Sequence, residues 1–419
     1  MPKFIINGQK PLSGEIEVKG AKNLALKVIP ASILSEKPMK ITNLPKIEDI
    51  DKSLQLIKEL GFKIDIKNST AVIETKHVKT IELPDKLADK FRTSIMFVGP
   101  LLARFKKVKF PHPGGCVIGA GGRPIDLFLD GFVSMGAKIK ASGKYYWIEA
   151  PKLKGMDFFF PKISVTGTES LMMTACLADG KTILRNCAME PEIKYLADYL
   201  NKNGAKISGA GTPTIIIDGV KKIGAGEIKI MPDRIETGSF AIMAAATNSE
   251  ILIKNCNPEH VSVLLAIFER IGVKFEIGKN WIKMKKSNGI SAYSIQTHEY
   301  PGFPTDLQSP YTVLMTQANG MSLIHETIYD RRLIWTDMLS QMGANITMCD
   351  PHRVVVIGPS KLYAKRLISP DIRAGIGLVI AALMAKGQTE IDNIYQIDRG
   401  YEKIDERLRK LGADIVRVE

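Results

Sequence analysis

"LIKELGFKIDI", residues 56–66, reads as the end of an amphipathic helix, then a glycine, then the start of an alternating strand. The phrase returns as "FVSMGAKIKA" (132–141), "YLNKNGAKISG" (199–209), "IFERIGVKFEI" (267–277), "MLSQMGANITM" (338–348) and "RLRKLGADIVRV" (407–418). Its marker glycines are Gly61, Gly136, Gly204, Gly272, Gly343 and Gly412, spaced 75, 68, 68, 71 and 69 residues apart. So even a step marks an internal repeat. Glycine after a helix is the expected C-cap, because it accepts left-handed backbone without penalty. Period-two alternation such as "KFEIGKNWIKMK" (274–285) marks half-buried strands.

A second phrase lies between copies of the first and reads helix, small turn, short strand. It appears as "ASILSEKPMKITNL" (31–44), "GPLLARFKKVKF" (99–110), "ACLADGKTILRNC" (175–187), "AAATNSEILIKNC" (244–256), "LMTQANGMSLIHET" (314–327) and "ALMAKGQTEIDNI" (382–394). Each unit of about 70 residues is therefore expected to hold two helices and about four strands, too large for a solenoid repeat. Three units can close around shared helices. Six make two α/β lobes, with the break near "GVKKIGAGEIKIMPDR" (219–234) and a cleft where ligands commonly sit.

Bulk properties narrow the class. Of 419 residues, 45% are apolar and 24% charged, which excludes disorder. Cys116, Cys176, Cys187, Cys256 and Cys349 form no CxxC pair, so neither a disulfide framework nor a zinc ribbon is expected. A reducing cytoplasm fits that usage. "MPKFIINGQK" has no signal-peptide stretch. "AGIGLVIAALMA" (374–385) is too short for a membrane span, which needs about 20 residues, and reads as a buried helix. The net charge of +14 favours anionic partners: nucleic acid, acidic lipid or phosphorylated metabolites. Its even spread along the chain equally suits a solvated surface.

Four stretches depart from the repeat. "PHPGGCVIGAGGRPID" (111–126) places Cys116 among five glycines, just after Lys106, Lys107 and Lys109. It lacks the Lys-Ser/Thr of a P-loop, and Pro124 stands where a dinucleotide fingerprint needs glycine. Nearby cations would favour the thiolate; the alternative is an inert loop cysteine. "VKGAKNLAL" (18–26) sets Lys22 and Asn23 at a helix start, with Asn23 as N-cap and Lys22 as either a phosphate ligand or a solvated cation. "YPGFPTDLQSPY" (300–311) fixes Asp306 at the start of a helix, as a cap or as a base. Arg92, Arg332, Arg373 and Arg399 fall in strand-to-helix turns, and arginine binds carboxylate and phosphate bidentately.

Taken together, "GAKN", "PGGC" followed by "RPID", "PDRIETG", "FPTD", "DIRAG" and "IDRGYE" resemble the enolpyruvyl transferases, in particular those acting on UDP-N-acetylglucosamine. The resemblance runs from end to end. It implies a two-lobed inside-out α/β barrel of six βαβαββ repeats, three per lobe. Residues 22–230 would form the first lobe, with a mobile Cys-containing loop at about 112–123. Residues 1–21 plus 231–419 would form the second, with the active site in the cleft.

The implied reaction moves the enolpyruvyl group of phosphoenolpyruvate to the sugar 3-hydroxyl and releases phosphate by addition and elimination. It is the first committed step of peptidoglycan synthesis, and it needs no metal or organic cofactor. Lys22, Arg92, Arg123, Arg332, Arg373 and Arg399 match positions around phosphoenolpyruvate. Asp306 matches the base beside the sugar hydroxyl. Cys116 matches the thiol acting near C3 of phosphoenolpyruvate, the site alkylated by fosfomycin. For the nucleotide sugar the matching positions are Asn23, Arg92, Arg123, Pro124, Ile125, Asp126, Leu127, Lys162, Ser164, Val165, Asp306 and Ile328, with Tyr329 beside them. Two departures stand out: "VIGAGG" before Arg123 is two residues longer than the family pattern, and Thr166 stands where glycine is more usual. His112 has no assigned role. The alternatives are the sister enzyme acting on shikimate 3-phosphate, against which "PGGC" argues, and a non-catalytic basic scaffold gripping nucleic acid, which few aromatics in basic stretches weaken.

Overall fold

The computed structural model describes residues 2–88, 92–112 and 125–419. Cys116, Arg123, Pro124 and nearly all of the loop expected to be mobile lie outside the described residues. The chain divides into two compact units. One is interrupted, built from residues 2–19 and 232–419. The other is inserted, built from the described part of residues 20–231. The chain leaves the interrupted unit after Lys19 and re-enters it at Pro232. At the first crossing Gly20 lies so close to Asn43 that a Cβ would sit 1.9 Å from the Asn43 carbonyl oxygen, leaving no room for a side chain.

Each unit contains three sheets. Those of the interrupted unit all have four strands. The first runs Arg366–Ile368, Gln388–Asp392, Lys3–Asn7, Asp414–Val418. The second runs Phe275–Ile277, Trp281–Met284, Glu250–Lys254, Ser13–Glu17, and the third Ile295–Gln296, Gly320–His325, Arg353–Gly358, Asn345–Asp350. Within each, one parallel contact joins the first strand of a repeat to the strand after its buried helix. The inserted unit repeats the pattern, except that its sheet of Lys107–Pro111, Tyr145–Glu149 and Lys138–Ser142 has three strands. A single Glu82–Lys109 bridge takes the place of the fourth.

Buried helices fill the core of each unit. In the interrupted unit Arg234–Ala246, Gln308–Met315 and Ile372–Met384 pack on one another. In the inserted unit the buried helices are Lys22–Ala31, Val98–Phe105 and Val165–Ala175. Outer helices such as Glu48–Glu59, Pro191–Lys202 and Ser262–Ile271 bury one face only, which accounts for their amphipathic pattern. Among the described residues no helix is long and apolar enough to cross a membrane.

All six marker glycines have φ between 86° and 103°, so the spacing read from the sequence counts real helix ends. A second signature emerges at strand ends. Asn43, Asn186, Asn255 and Asn393 adopt left-handed backbone, with φ between 54° and 59°. Each donates its side-chain amide at 2.8 Å to the carbonyl just beyond the first strand of its repeat: Ile230, Phe160, Val18 and Ser369 respectively. The clamp joins the two parallel strands of a repeat where they end.

Candidate active site

The most concentrated chemistry of the interrupted unit lies at the start of its middle buried helix. Pro304 leads into a short turn of 3₁₀ helix, Thr305–Leu307, that continues as Gln308–Met315. Asp306 in that turn does not cap the helix. Instead Arg332 donates to its Oδ1 at 3.0 Å and Arg373 to its Oδ2 at 2.9 Å. Both guanidinium side chains are buried, while that of Asp306 is 26% exposed. Burial alone would raise the Asp306 pKa, but the two guanidiniums outweigh it and hold the carboxyl well below the usual range. The Arg373 guanidinium also faces Tyr401, whose hydroxyl lies 2.8 Å from Ser239 Oγ. Arg332 lies 5.1 Å from the ring centroid of Tyr329.

The neighbouring repeats use the same aspartate position differently. Asp233 accepts from the amides of Ile235 and Glu236, and Asp371 from those of Arg373 and Ala374. Both are ordinary N-caps. The cap expected as one alternative for Asp306 is thus found one repeat to either side of it. Arg399, expected in a strand-to-helix turn, instead ends the short Tyr395–Asp398 helix and donates to Gln396 at 3.0 Å.

In the inserted unit Lys22 is not solvated, and the Asn23 expected as helix cap does not cap. It is 7% exposed and pairs with Asp49 at 2.6 Å. The N-cap is Ala21, without a side-chain bond, and Asn23 is already inside the helix. The helix thus starts two residues earlier than the capping rule suggests. Lys27, one turn on, donates to the Asn23 carbonyl at 2.9 Å and pairs with Glu169 at 3.2 Å. Glu169 is fully buried, and burial, against the pull of Lys27, pushes its pKa up to about 7.

Other expected residues fall as follows. Ser164 caps Val165–Ala175 and accepts from the Gly167 amide at 3.1 Å. A Cβ on Gly167 would lie 3.0 Å from Ser164 Oγ, so the glycine this turn needs stands one place after Thr166. Val165 begins that helix, and Lys162 before it is exposed. Ile125 is buried at the N-terminus of Asp126–Ser134, where Asp126 is exposed and Leu127 half-buried. Arg92 opens the 3₁₀ helix Arg92–Phe97. Ile328 and Tyr329 are half-buried in the loop leading to Arg332.

Of the lysines expected to activate Cys116, Lys109 pairs with Glu82 at 3.0 Å and covers the rings of Tyr145 and Trp147. Lys106 donates to the Ala103 carbonyl at 2.8 Å. Two of the three are therefore engaged by other groups. His112 is exposed, with its amide on the Lys144 carbonyl. Burial pushes the thiols of Cys176 and Cys187 up to about 12 and that of Cys256 to about 11, as expected of structural cysteines. Sequence reasoning missed Asp49, Lys27, Glu169, Tyr401 and Glu326.

The profile of the family described as EPSP synthase (3-phosphoshikimate 1-carboxyvinyltransferase) matches residues 6–408. A UDP-N-acetylglucosamine 1-carboxyvinyltransferase of Desulfatibacillum aliphaticivorans is 42% identical over 419 residues, covering 100% of both chains. One from Koribacter versatilis is 42% identical over 422 residues, covering 100% of this chain and 97% of that one. Among solved structures, the enolpyruvyl transferase NikO from Streptomyces tendae superposes with a TM-score of 0.90 at 20% identity, covering 100% of this chain and 99% of that one. An EPSP synthase from Acinetobacter baumannii gives 0.76 at 18% identity, covering 100% of both chains. These likenesses fix the fold as the inside-out α/β architecture that the resemblance implied.

Proposed function

The chain belongs to the enolpyruvyl transferase family, and from that premise we propose how its residues carry the reaction. The reaction is transfer of the enolpyruvyl group of phosphoenolpyruvate to the 3-hydroxyl of UDP-N-acetylglucosamine, with release of phosphate. The hydroxyl oxygen adds to C2 of phosphoenolpyruvate while C3 takes a proton. Loss of phosphate from C2 and of a proton from C3 then restores the enol ether.

The observation that carries our residue assignment is the Asp306 carboxylate clamped by two buried arginines. A carboxylate so stabilised is a weak base, and general bases work best with a pKa near the working pH. Asp306 therefore serves first as the acceptor that orients the 3-hydroxyl. It takes the proton as Arg332 and Arg373 turn toward the anionic second substrate, which raises its basicity. Lys22, Arg92, Arg123 and Arg399 supply further positive charge for the phosphate and carboxylate of phosphoenolpyruvate. Asn23, Ile125 to Leu127, Lys162, Ser164, Val165 and Ile328 hold the nucleotide sugar. Cys116 delivers the proton to C3 and is the target of fosfomycin. The setting is cytoplasmic synthesis of cell-wall precursors.

The test is phosphate release from phosphoenolpyruvate, with and without UDP-N-acetylglucosamine and after fosfomycin treatment. Release that needs the nucleotide sugar and is abolished by the drug supports the whole assignment. Drug-resistant release removes Cys116 from it. No release, with salt-sensitive binding to nucleic acid instead, would favour the basic scaffold.

A further inference from the structure

Two of the six repeats lack the left-handed asparagine: the one whose short strand is Lys107–Pro111, and the one that carries Asp306. In three of the four that have it, the residue after the asparagine returns to the ladder. Leu44, Cys187 and Cys256 donate their amides to Ser69, Pro213 and Asn280 at 2.9, 3.0 and 3.1 Å, and all three are buried. In the repeat that carries Asp306 the strand Gly320–His325 runs straight on, and Glu326 takes that ladder position, donating to the His352 carbonyl at 2.7 Å, as His112 does to Lys144 after Lys107–Pro111. His112 is exposed, whereas Glu326 sets a buried carboxylate where three other repeats bury leucine or cysteine. Its residue is 0% exposed.

Such a substitution costs desolvation unless every acceptor is used. Here they are used. Glu326 Oε2 accepts from the Thr305 hydroxyl at 2.7 Å, and Oε1 accepts from the amides of Ile328 and Tyr329 at 2.9 and 3.1 Å. The strand clamp is taken over by Thr327, whose hydroxyl donates to the Thr297 carbonyl and whose amide donates to Thr297 Oγ1. One buried carboxylate therefore grips the turn holding Asp306 with one oxygen and the loop leading to Arg332 with the other.

We propose that Glu326 is a positioning residue that sets the Asp306 turn and the Ile328–Arg332 loop as one body. It touches no substrate. It fixes the backbone of the Asp306 turn against the loop that leads to Arg332, so that the guanidinium turns from a set starting point. The proposal rests on the reading of Asp306 given above.

The decisive variant is Glu326→Leu, which restores the residue found at the equivalent position of another repeat and so is compatible with the fold. Displacement of reacting groups by about 1 Å costs on the order of a hundredfold in rate. Glu326→Leu is expected to melt at or above the parent temperature and to lose about that much kcat, with the KM of either substrate changed by less than about fivefold. Glu326→Gln keeps both acceptor contacts on the loop and can still bond Thr305, and should recover most of the rate. A structural role alone would lower the melting temperature and leave the turnover of folded enzyme intact; parental kcat in Glu326→Leu overturns the proposal. Hydrogen exchange gives a readout independent of turnover: residues 303–308 and 326–332 should lose protection together in Glu326→Leu. If the parent releases no phosphate, the functional reading fails, and joint or separate loss of protection still decides whether Glu326 couples the two segments. Should Glu326→Leu not fold, Thr305→Val cuts only one arm and should reduce kcat by about tenfold, and parental turnover there would overturn the proposal.

Discussion

The two units start their buried helices with opposite chemistry. In the interrupted unit each start carries an aspartate: Asp233, Asp306 and Asp371. In the inserted unit the starts carry Lys22 and Ser164, with Arg92 opening the 3₁₀ turn before the third. Helix N-termini attract negative charge, so the aspartates of the first set are satisfied locally, except where two arginines draw Asp306 away. Among the described residues the starts of the second set bring no carboxylate of their own, although Asp49 neutralises Lys22 from another helix. One repeated scaffold thus places a restrained anion in one unit and cationic or hydroxyl groups in the other. The repeat supplies the position and the individual side chain supplies the chemistry.

The largest effect that would break this comparison is kinetic. Asp306→Asn should lower kcat by roughly 10²–10⁴ in the phosphate-release assay, the range for loss of a general base. Asp233→Ala, at the equivalent cap, should instead lower the unfolding free energy by about 1 kcal/mol in a urea titration. If Asp306→Asn turned over at the parental rate, the contrast between cap and reactive carboxylate would collapse.

A second prediction concerns pH. The Asp306 carboxyl is held below its ordinary value, so its contribution is present above pH of about 4 and lost as pH falls further. The Glu169 carboxyl is raised to about 7, so its contribution is present below its unfolded value of about 4.5 and lost as pH rises through 7. The units should therefore respond in opposite directions, by up to a few kcal/mol for Glu169. Hydrogen exchange, corrected for intrinsic rates, should show Val165–Ala175 losing protection between pH 5 and 8. Glu169→Gln should flatten that slope. A slope unchanged by the substitution would mean that Lys27 keeps Glu169 ionised throughout.

Thiol labelling sharpens the contrast further. Cys176, Cys187 and Cys256 ionise only at about 11 to 12, so an epoxide at pH 7 should leave them unmodified and mark Cys116. Cys116→Ser should abolish the adduct in peptide mass spectra. The smallest effect tests the similarity of the units. Asn186→Ala and Asn255→Ala each remove one clamp and put alanine into left-handed backbone, and should each cost about 1–2 kcal/mol in urea unfolding. Unequal costs would show that the clamp is not equivalent in the two units.

Much of the fold was legible because the repeat is written in glycines. Gly61, Gly136, Gly204, Gly272, Gly343 and Gly412 mark helix ends that hardly any other residue can form as cheaply. The arginines around Asp306 were legible as residue types, but their meeting on one carboxylate was not, since Arg332 and Arg373 lie 26 and 67 residues away. Lys22 was visible and its partner Asp49 was not, because nothing local distinguishes that aspartate from its neighbours on a helix start. Asn23 misled because the capping rule reads residue type, while this helix begins at Lys22 after an Ala21 cap that makes no side-chain bond. Glu326 could have been found. Aligned, "ITN", "LRN", "IKN" and "IDN" end four of the short strands, while "KFPH" and "LIHE" end the other two, and only the last puts a carboxylate at that point. The missing asparagine is a signal in the sequence whose meaning needs the ladder to interpret.

The twofold passage between units has a consequence for the order of synthesis. The inserted unit is one continuous stretch, so all its strands exist once residue 231 has been made. Lys3–Asn7 is translated before the whole inserted unit, yet it pairs with Gln388–Asp392 and Asp414–Val418, translated after that unit. At about 5–20 residues per second that strand waits roughly 20–80 seconds for its neighbours. During that interval it presents unpaired backbone on both edges, alternating with Phe4 and Ile6, which the finished protein buries completely. A strand made before the inserted unit is thus among the last to find its place, and a chaperone that shields nascent chains has a defined target at residues 3–7.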